Sequence, residues 1–187
     1  MAGKIILKIL LGAGILFIVF AIVMIVGSLI LLRAHHGDKA EVLSADEGAK
    51  KALIVYQPSL TKASCDVAHA IARGLNDGGY EVLLNHPGEH MDADISAYSV
   101  IVLGAPVYAG KTAEALAEYI RRAGDLSGKR VIVFFTAGSV DEGPESAGME
   151  EALHGVETYA SIKFRFDESE ANGQKAYQLG LDAAGEE

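Results

Sequence analysis

Three runs of this sequence are apolar at nearly every residue instead of every second one: "ALIVY" at 52–56, "VIVL" at 100–103 and "VIVFF" within 130–136. A strand with one wet face alternates apolar and polar residues, so an unbroken β-rich run must be buried on both faces. Two further runs, Tyr80–Leu84 and Ser161–Phe166, are β-rich at similar spacing. Between most of the five lie segments with helical periodicity, predicted at Cys65–Asn76, Thr112–Ala123 and Met149–Tyr159, with a closing helix at Gln174–Ala184. Strands alternating with helices imply right-handed crossovers and a parallel sheet covered on both sides. The predicted fold is therefore a doubly wound α/β domain with a five-stranded parallel sheet over residues 51–187. The connection "NHPGEHMDADISAY" after the second strand is too polar for a full helix.

Before this domain, Ile9–Leu32 is a run of 24 residues without a charge. As a helix it would span roughly 36 Å, enough to cross a hydrocarbon core of about 30 Å. It is longer than the apolar core of a cleaved signal peptide, and Leu32-Arg33-Ala34 is a poor cleavage site. The run is read as one N-terminal transmembrane helix over 9–32, preceded by a short tail (1–8) and followed by a polar linker (33–50). As a flexible coil the linker would reach roughly 25 Å. Lys4 and Lys8 precede the span, whereas Arg33, Lys39, Lys50 and Lys51 follow it, a bias towards a cytoplasmic soluble domain at the cell membrane. Beyond Arg33 lie 13 lysines and arginines against all 25 acidic residues, a balance of −12. Such a charge disfavours nucleic acid as a partner.

In an open parallel sheet, ligands bind outside the carboxyl ends of the strands, near the point where strand order reverses. The loops that matter are thus "QPSLTKAS", "GAPVYAGKT" and "AGSVDEGPESAG". The first enters a helix, whose free N–H groups and positive dipole end favour a phosphate. Ser59, Thr61 and Ser64 add hydroxyls and Lys62 a charge; the plainer reading is that Ser64 caps the helix and the others solvate a turn. No G-x-x-x-x-G-K-[ST] and no G-x-G-x-x-G follows the first strand, which argues against P-loop and dinucleotide folds. Tyr56-Gln57 and Gly104-Ala105 stand where a receiver domain needs acidic residues.

Taken in order, "PSLTKAS", "VIVLGAPVYAGK" and "LSGKRVIVFFTAGS" resemble the flavodoxin family, over about Lys51 to Gly180. That resemblance implies strand order 2-1-3-4-5 with FMN at the switch point. It implies a phosphate site at Ser59, Leu60, Thr61, Lys62, Ala63 and Ser64, and ring contacts from Pro106, Val107, Tyr108, Ala109 and Gly110. Thr136, Ala137, Gly138 and Ser139 would form the opposite wall. The chain departs from the usual T-G-N-T-like phosphate loop in "TKAS", where Lys62 replaces the glycine and Ala63 the asparagine. It also has no tryptophan for flavin stacking.

The function implied is a membrane-anchored carrier that holds FMN non-covalently and passes electrons to a redox protein or a quinone. The acidic surround is expected to keep the potential of the bound flavin low. Two other readings stand beside it: an FMN-dependent reductase or oxidase acting on a membrane-borne substrate, and a flavin-free interaction module that kept the fold. No catalytic residue or metal site is expected. His86, His90, Asp92 and Asp94 lack a recognised ligand spacing. Cys65, the single cysteine, has no second thiol and no histidine read as its base, so it is taken as a buried structural residue.

Overall fold

The computed structural model describes residues 11–12, 14–27, 40–88, 91–108, 114–139, 145–153 and 155–185. Its contacts divide the chain into Met1–Gly37 and Asp38–Glu187. In the first unit, residues 14–27 form a helix (α1). Its large apolar side chains are exposed, Leu16 by 72% and Phe17 by 73%. Among the described residues no helix is long and apolar enough to cross a membrane. The expected span of 9–32 extends on both sides of α1, into residues outside those described.

The second unit runs β1 (Glu41–Leu43), β2 (Lys51–Tyr56), α2 (Ala63–Asp77), β3 (Glu81–Asn85) and β4 (Val100–Pro106). It continues with α3 (Glu114–Arg122), β5 (Arg130–Ala137), α4 (Glu145–Leu153), β6 (Ala160–Arg165) and α5 (Ser169–Gly185). One six-stranded sheet has the order β1-β3-β2-β4-β5-β6. Five strands pair in parallel, and counted among themselves they follow the expected order 2-1-3-4-5. The sixth was not expected. Glu41–Leu43, inside the predicted linker, pairs antiparallel with β3 (Glu41 opposite Leu84). Three residues of a polar segment carry too little β-pattern to announce a strand; the open edge of β3 selects them.

The unbroken apolar runs are explained by two cores. Ala52, Ile54 and Tyr56 of β2 face one side with Val100, Val102, Ile132 and Phe134, under α2 and α5. Leu53 and Val55 face the other with Ile101, Leu103, Val131 and Val133, under α3 and α4. Alternate residues of a strand point to opposite faces, so a helix layer on each face makes every position apolar. Helices α2 and α5 meet backbone to backbone: a Cβ at Gly74 would overlap the Tyr177 carbonyl, and one at Gly180 the Ile71 carbonyl.

One helix lies elsewhere than expected. The stretch predicted helical over 149–159 is helical over Glu145–Leu153. The chain turns at Gly155 (φ +79°), where Val156 N–H donates to Leu153 O. Tyr159 N–H then donates to Val131 O, drawing the following residues into the sheet as β6. Helical periodicity continues through Tyr159 in the sequence, but the left-handed glycine and this sheet bond override it. The connection 86–99 has no helix among its described residues. Asp92 and Asp94 are spent on turns, accepting from the N–H groups of Asp94 and Ser96.

Candidate functional site

β2 lies between β3 and β4, so the chain leaves it to opposite sides and the loops after β2 and β4 diverge. The loops after β2, β4, β5 and β6 come together at this end of the sheet, tied by main-chain bonds. Gln57 N–H donates to Gly104 O, Val107 N–H to Thr136 O and Phe166 N–H to Ala137 O.

The loop after β2 is more organised than a solvated turn. Ser59 is buried, and its Oγ accepts from Ser64 N–H at 3.1 Å. A helix N-terminus leaves such N–H groups without partners in the helix, and here a hydroxyl five residues upstream takes one. Ser64, fully buried, is therefore not the cap. Its hydroxyl lies 2.7 Å from the hydroxyl of Thr136 at the end of β5, itself 2% exposed. This bond joins the start of α2 directly to the end of β5. Leu60 N–H donates to Tyr108 Oη at 2.8 Å, so the tyrosine after β4 also clamps the first loop. Tyr108 is 49% exposed and Leu60 is exposed beside it.

Lys62 opens α2 with φ +62°, ψ −6°, and is the single non-glycine at positive φ among the described residues. Left-handed backbone costs an L-residue roughly 1–2 kcal/mol, which is why glycine is usual there. The glycine missing from "TKAS" is thus missing as a side chain only; its conformation is kept. Thr61 and Lys62 are exposed and Ala63 is buried.

The donor chemistry of this pocket suits an anion. Ser64 and Thr136 carry two O–H protons, and the bond between them uses one. Ser59 uses its Oγ as an acceptor and keeps its own proton. Among the described residues neither remaining proton has an acceptor. Either would be a donor to an anion at the first turn of α2 without displacing a bond already made. The residues present fit the phosphate of a flavin nucleotide.

Of the other expected residues, Pro106 and Ala137 are buried strand ends, Val107 is half-buried, and Gly138 and Ser139 are exposed. Ala109 and Gly110 lie outside the described residues. The structure adds Phe166, which the sequence reading left out. It is 45% exposed after β6, with its ring 3.3 Å from where a Cβ on Gly138 would stand. Phe166, Thr61, Ala63 and Asn172 line one small cavity beside the first loop. Thus the aromatic residue missing from the loop after β5 is supplied by the next strand. An open cleft of about 730 Å³ lies at the amino ends of β5 and β6 instead, lined by residues 126–130 and 155–159. Lys129 there is already bonded to Tyr98 O. We place the site at the carboxyl ends because the convergent loops and unused donors are there. Cys65 also departs from expectation: it is partly exposed and touches His69 one turn along α2.

Fold and site together define a doubly wound α/β protein with a hydroxyl-rich loop at the switch point. The chain belongs to the flavodoxin domain family, whose pattern it matches over residues 56–170. Oxidised Flavodoxin 2 from Bacillus cereus is 26% identical over 72% of this chain and 97% of its own, with a TM-score of 0.59. The two-electron-reduced flavodoxin of Megasphaera elsdenii is 21% identical over 72% of this chain and 99% of its own (TM-score 0.59). A flavodiiron core from Synechocystis, 19% identical with a TM-score of 0.58, shares the fold; this chain spans 36% of it. No curated protein matches the sequence.

Proposed function

We propose that this protein is a membrane-anchored flavodoxin-like electron carrier that binds FMN without covalent attachment. The observation that carries the reading is the pair of unused hydroxyl protons, from Ser59 and from Ser64–Thr136, at the mouth of α2 in a flavodoxin domain. When bound, FMN supplies reversible electron transfer. The chain's own residues do the rest. Ser59, Thr61 and Ser64 would hold the phosphate at the positive end of α2, and the exposed Lys62 would add a counter-charge. Residues 106–108 and 136–139 would flank the ring, with Tyr108 and Phe166 supplying apolar walls.

The anchor reading rests on the 24 uncharged residues of 9–32 and on the apolar side chains that α1 exposes. A helix apolar all round suits a lipid surround and not water. The distribution of lysine and arginine supports a cytoplasmic soluble domain. Its redox partner is a protein or a membrane quinone.

Full-length protein in detergent, titrated with FMN, tests this. One equivalent taken up with quenched fluorescence supports the reading, and a chain that leaves FMN free in solution refutes it. Reduction of a quinone by NAD(P)H without another protein would move the assignment from carrier to reductase.

A further inference from the structure

Cys65 stands in the first turn of α2, next to Ser64, in a cluster that none of the proposed cofactor residues joins. His69 Nδ1 lies 3.5 Å from Cys65 Sγ and 2.8 Å from Cys65 O, and its Nε2 lies 2.9 Å from Glu41 Oε2. Both ring nitrogens therefore face acceptors: a carbonyl and sulfur on one side, a carboxylate on the other. A neutral imidazole has one N–H and satisfies only one side; the imidazolium satisfies both. Tyr56, buried at the end of β2, donates its O–H to the same sulfur at 3.5 Å. The sulfur thus has the Tyr56 O–H and a share of the Nδ1–H that the imidazolium gives mainly to the Cys65 carbonyl, with the first turn of a helix behind it, surroundings in which thiols ionise.

The electrostatics agree with the geometry. The hydrogen bond to His69 lowers the Cys65 thiol below its ordinary value, with Tyr56 helping and burial and Asp66 opposing. The same bond raises His69 to about 9, aided by Glu41. Burial first, and then the sulfur, pushes the Tyr56 phenol up, so it remains a donor. His86 packs its ring edge-on to Tyr56 from the connection after β3, with centroids 4.9 Å apart.

We propose that Cys65 is a thiol-modification site, its thiolate held by His69 and Tyr56 for exchange with the disulfide of a small thiol. The sulfur attacks one sulfur of the disulfide; that S–S bond breaks as a new one forms to Cys65. The other half leaves as a thiolate and takes a proton from water. Cys65 is oxidised to the disulfide level and the departing half is reduced. The sequence has one cysteine, so no second thiol of the chain resolves the adduct, and excess free thiol reverses it. Glu41, on the short strand that the sheet edge recruits, is a positioning residue that keeps His69 charged and turned towards the sulfur.

Full-length protein is mixed with oxidised glutathione, and adduct formation is followed by intact mass at pH 7 and pH 8. An unperturbed thiol reacts about eightfold more slowly at the lower pH, because its thiolate fraction falls by that factor. Wild type is expected to slow by less than about threefold. His69→Gln restores the steep profile and reacts about three- to tenfold more slowly at pH 7, the gain in thiolate being partly offset by lower intrinsic nucleophilicity. Glu41→Gln, on an exposed edge, leaves the fold intact by circular dichroism and falls between the two. A wild-type profile as steep as that of an unperturbed thiol overturns the proposal. So does a sulfur that forms no adduct in the folded protein but does so in urea.

Discussion

Ser64 and Thr136 form a buried hydroxyl pair whose removal, one member at a time, should cost more than its removal together. Ser64→Ala leaves the Thr136 hydroxyl, 2% exposed, without its partner. A stranded buried hydroxyl costs roughly 1–3 kcal/mol, and the same holds for Ser64 in Thr136→Val. In a domain of this size each kcal/mol moves Tm by about 2–4 °C, so each single variant should melt roughly 2–12 °C below wild type. The double variant replaces both groups by apolar ones and strands neither, so it should recover most of that loss. The coupling in a double-mutant cycle, the two single losses less the small loss of the double, is then on the order of 2–6 kcal/mol. Urea unfolding of all four proteins measures it. FMN titration adds a second axis: the double variant has lost the unused O–H, and a hydrogen bond to a charged group contributes about 1.5–3 kcal/mol. Its FMN affinity should fall by about tenfold to a hundredfold while its stability stays near wild type. Single-variant losses that simply add, within about 0.5 kcal/mol, would refute the pairing.

Three further outcomes are expected. Lys62→Gly removes about 1–2 kcal/mol of left-handed strain against about 0.5–1 kcal/mol of added unfolded-chain entropy, so it should stabilise by up to ~1 kcal/mol; a destabilised variant in urea unfolding would contradict the φ of +62°. Gly180→Ala drives a methyl into the Ile71 carbonyl of α2 and should destabilise by about 1–3 kcal/mol or more, whereas Gly173→Ala on the same helix, where a Cβ meets nothing, should not. The third concerns pH. The raised His69 contributes stability that is present below its unfolded value of 6.5 and lost as pH rises towards about 9. The lowered Cys65 contributes stability that is present above its unfolded value and lost as pH falls through its folded one. In the neutral range the two slopes oppose, so wild type should change little. Cys65→Ser removes the cysteine slope and leaves His69 only the smaller upward pull of the residue-65 carbonyl and Glu41, so stability relative to wild type should fall gently as pH rises from about 6 to about 8 in urea unfolding.

Two-sided burial is written into every residue of a run such as "ALIVY", and helices between such runs leave a parallel sheet as the arrangement that buries both faces. The doubly wound fold was legible on that basis, and the flavodoxin-like motifs carried the strand order, which brings Ser59, Ser64, Tyr108 and Thr136 to one end of the sheet. The 24 uncharged residues of 9–32 are likewise a property of the chain itself. What no local pattern contains is pairing across distance. Ser64 meets Thr136 because β2 and β5 both flank β4, and Phe166 reaches Gly138 because β6 lies beside β5. Glu41 finds His69 because the open edge of β3 takes up three residues of a polar segment. Even Cys65 and His69, four apart on one helix, gain their character from Tyr56 and Glu41 on two separate strands. Strand-forming and helix-forming tendencies act within a few residues, whereas hydrogen bonds and ion pairs of this kind exist only once the sheet has brought their ends together.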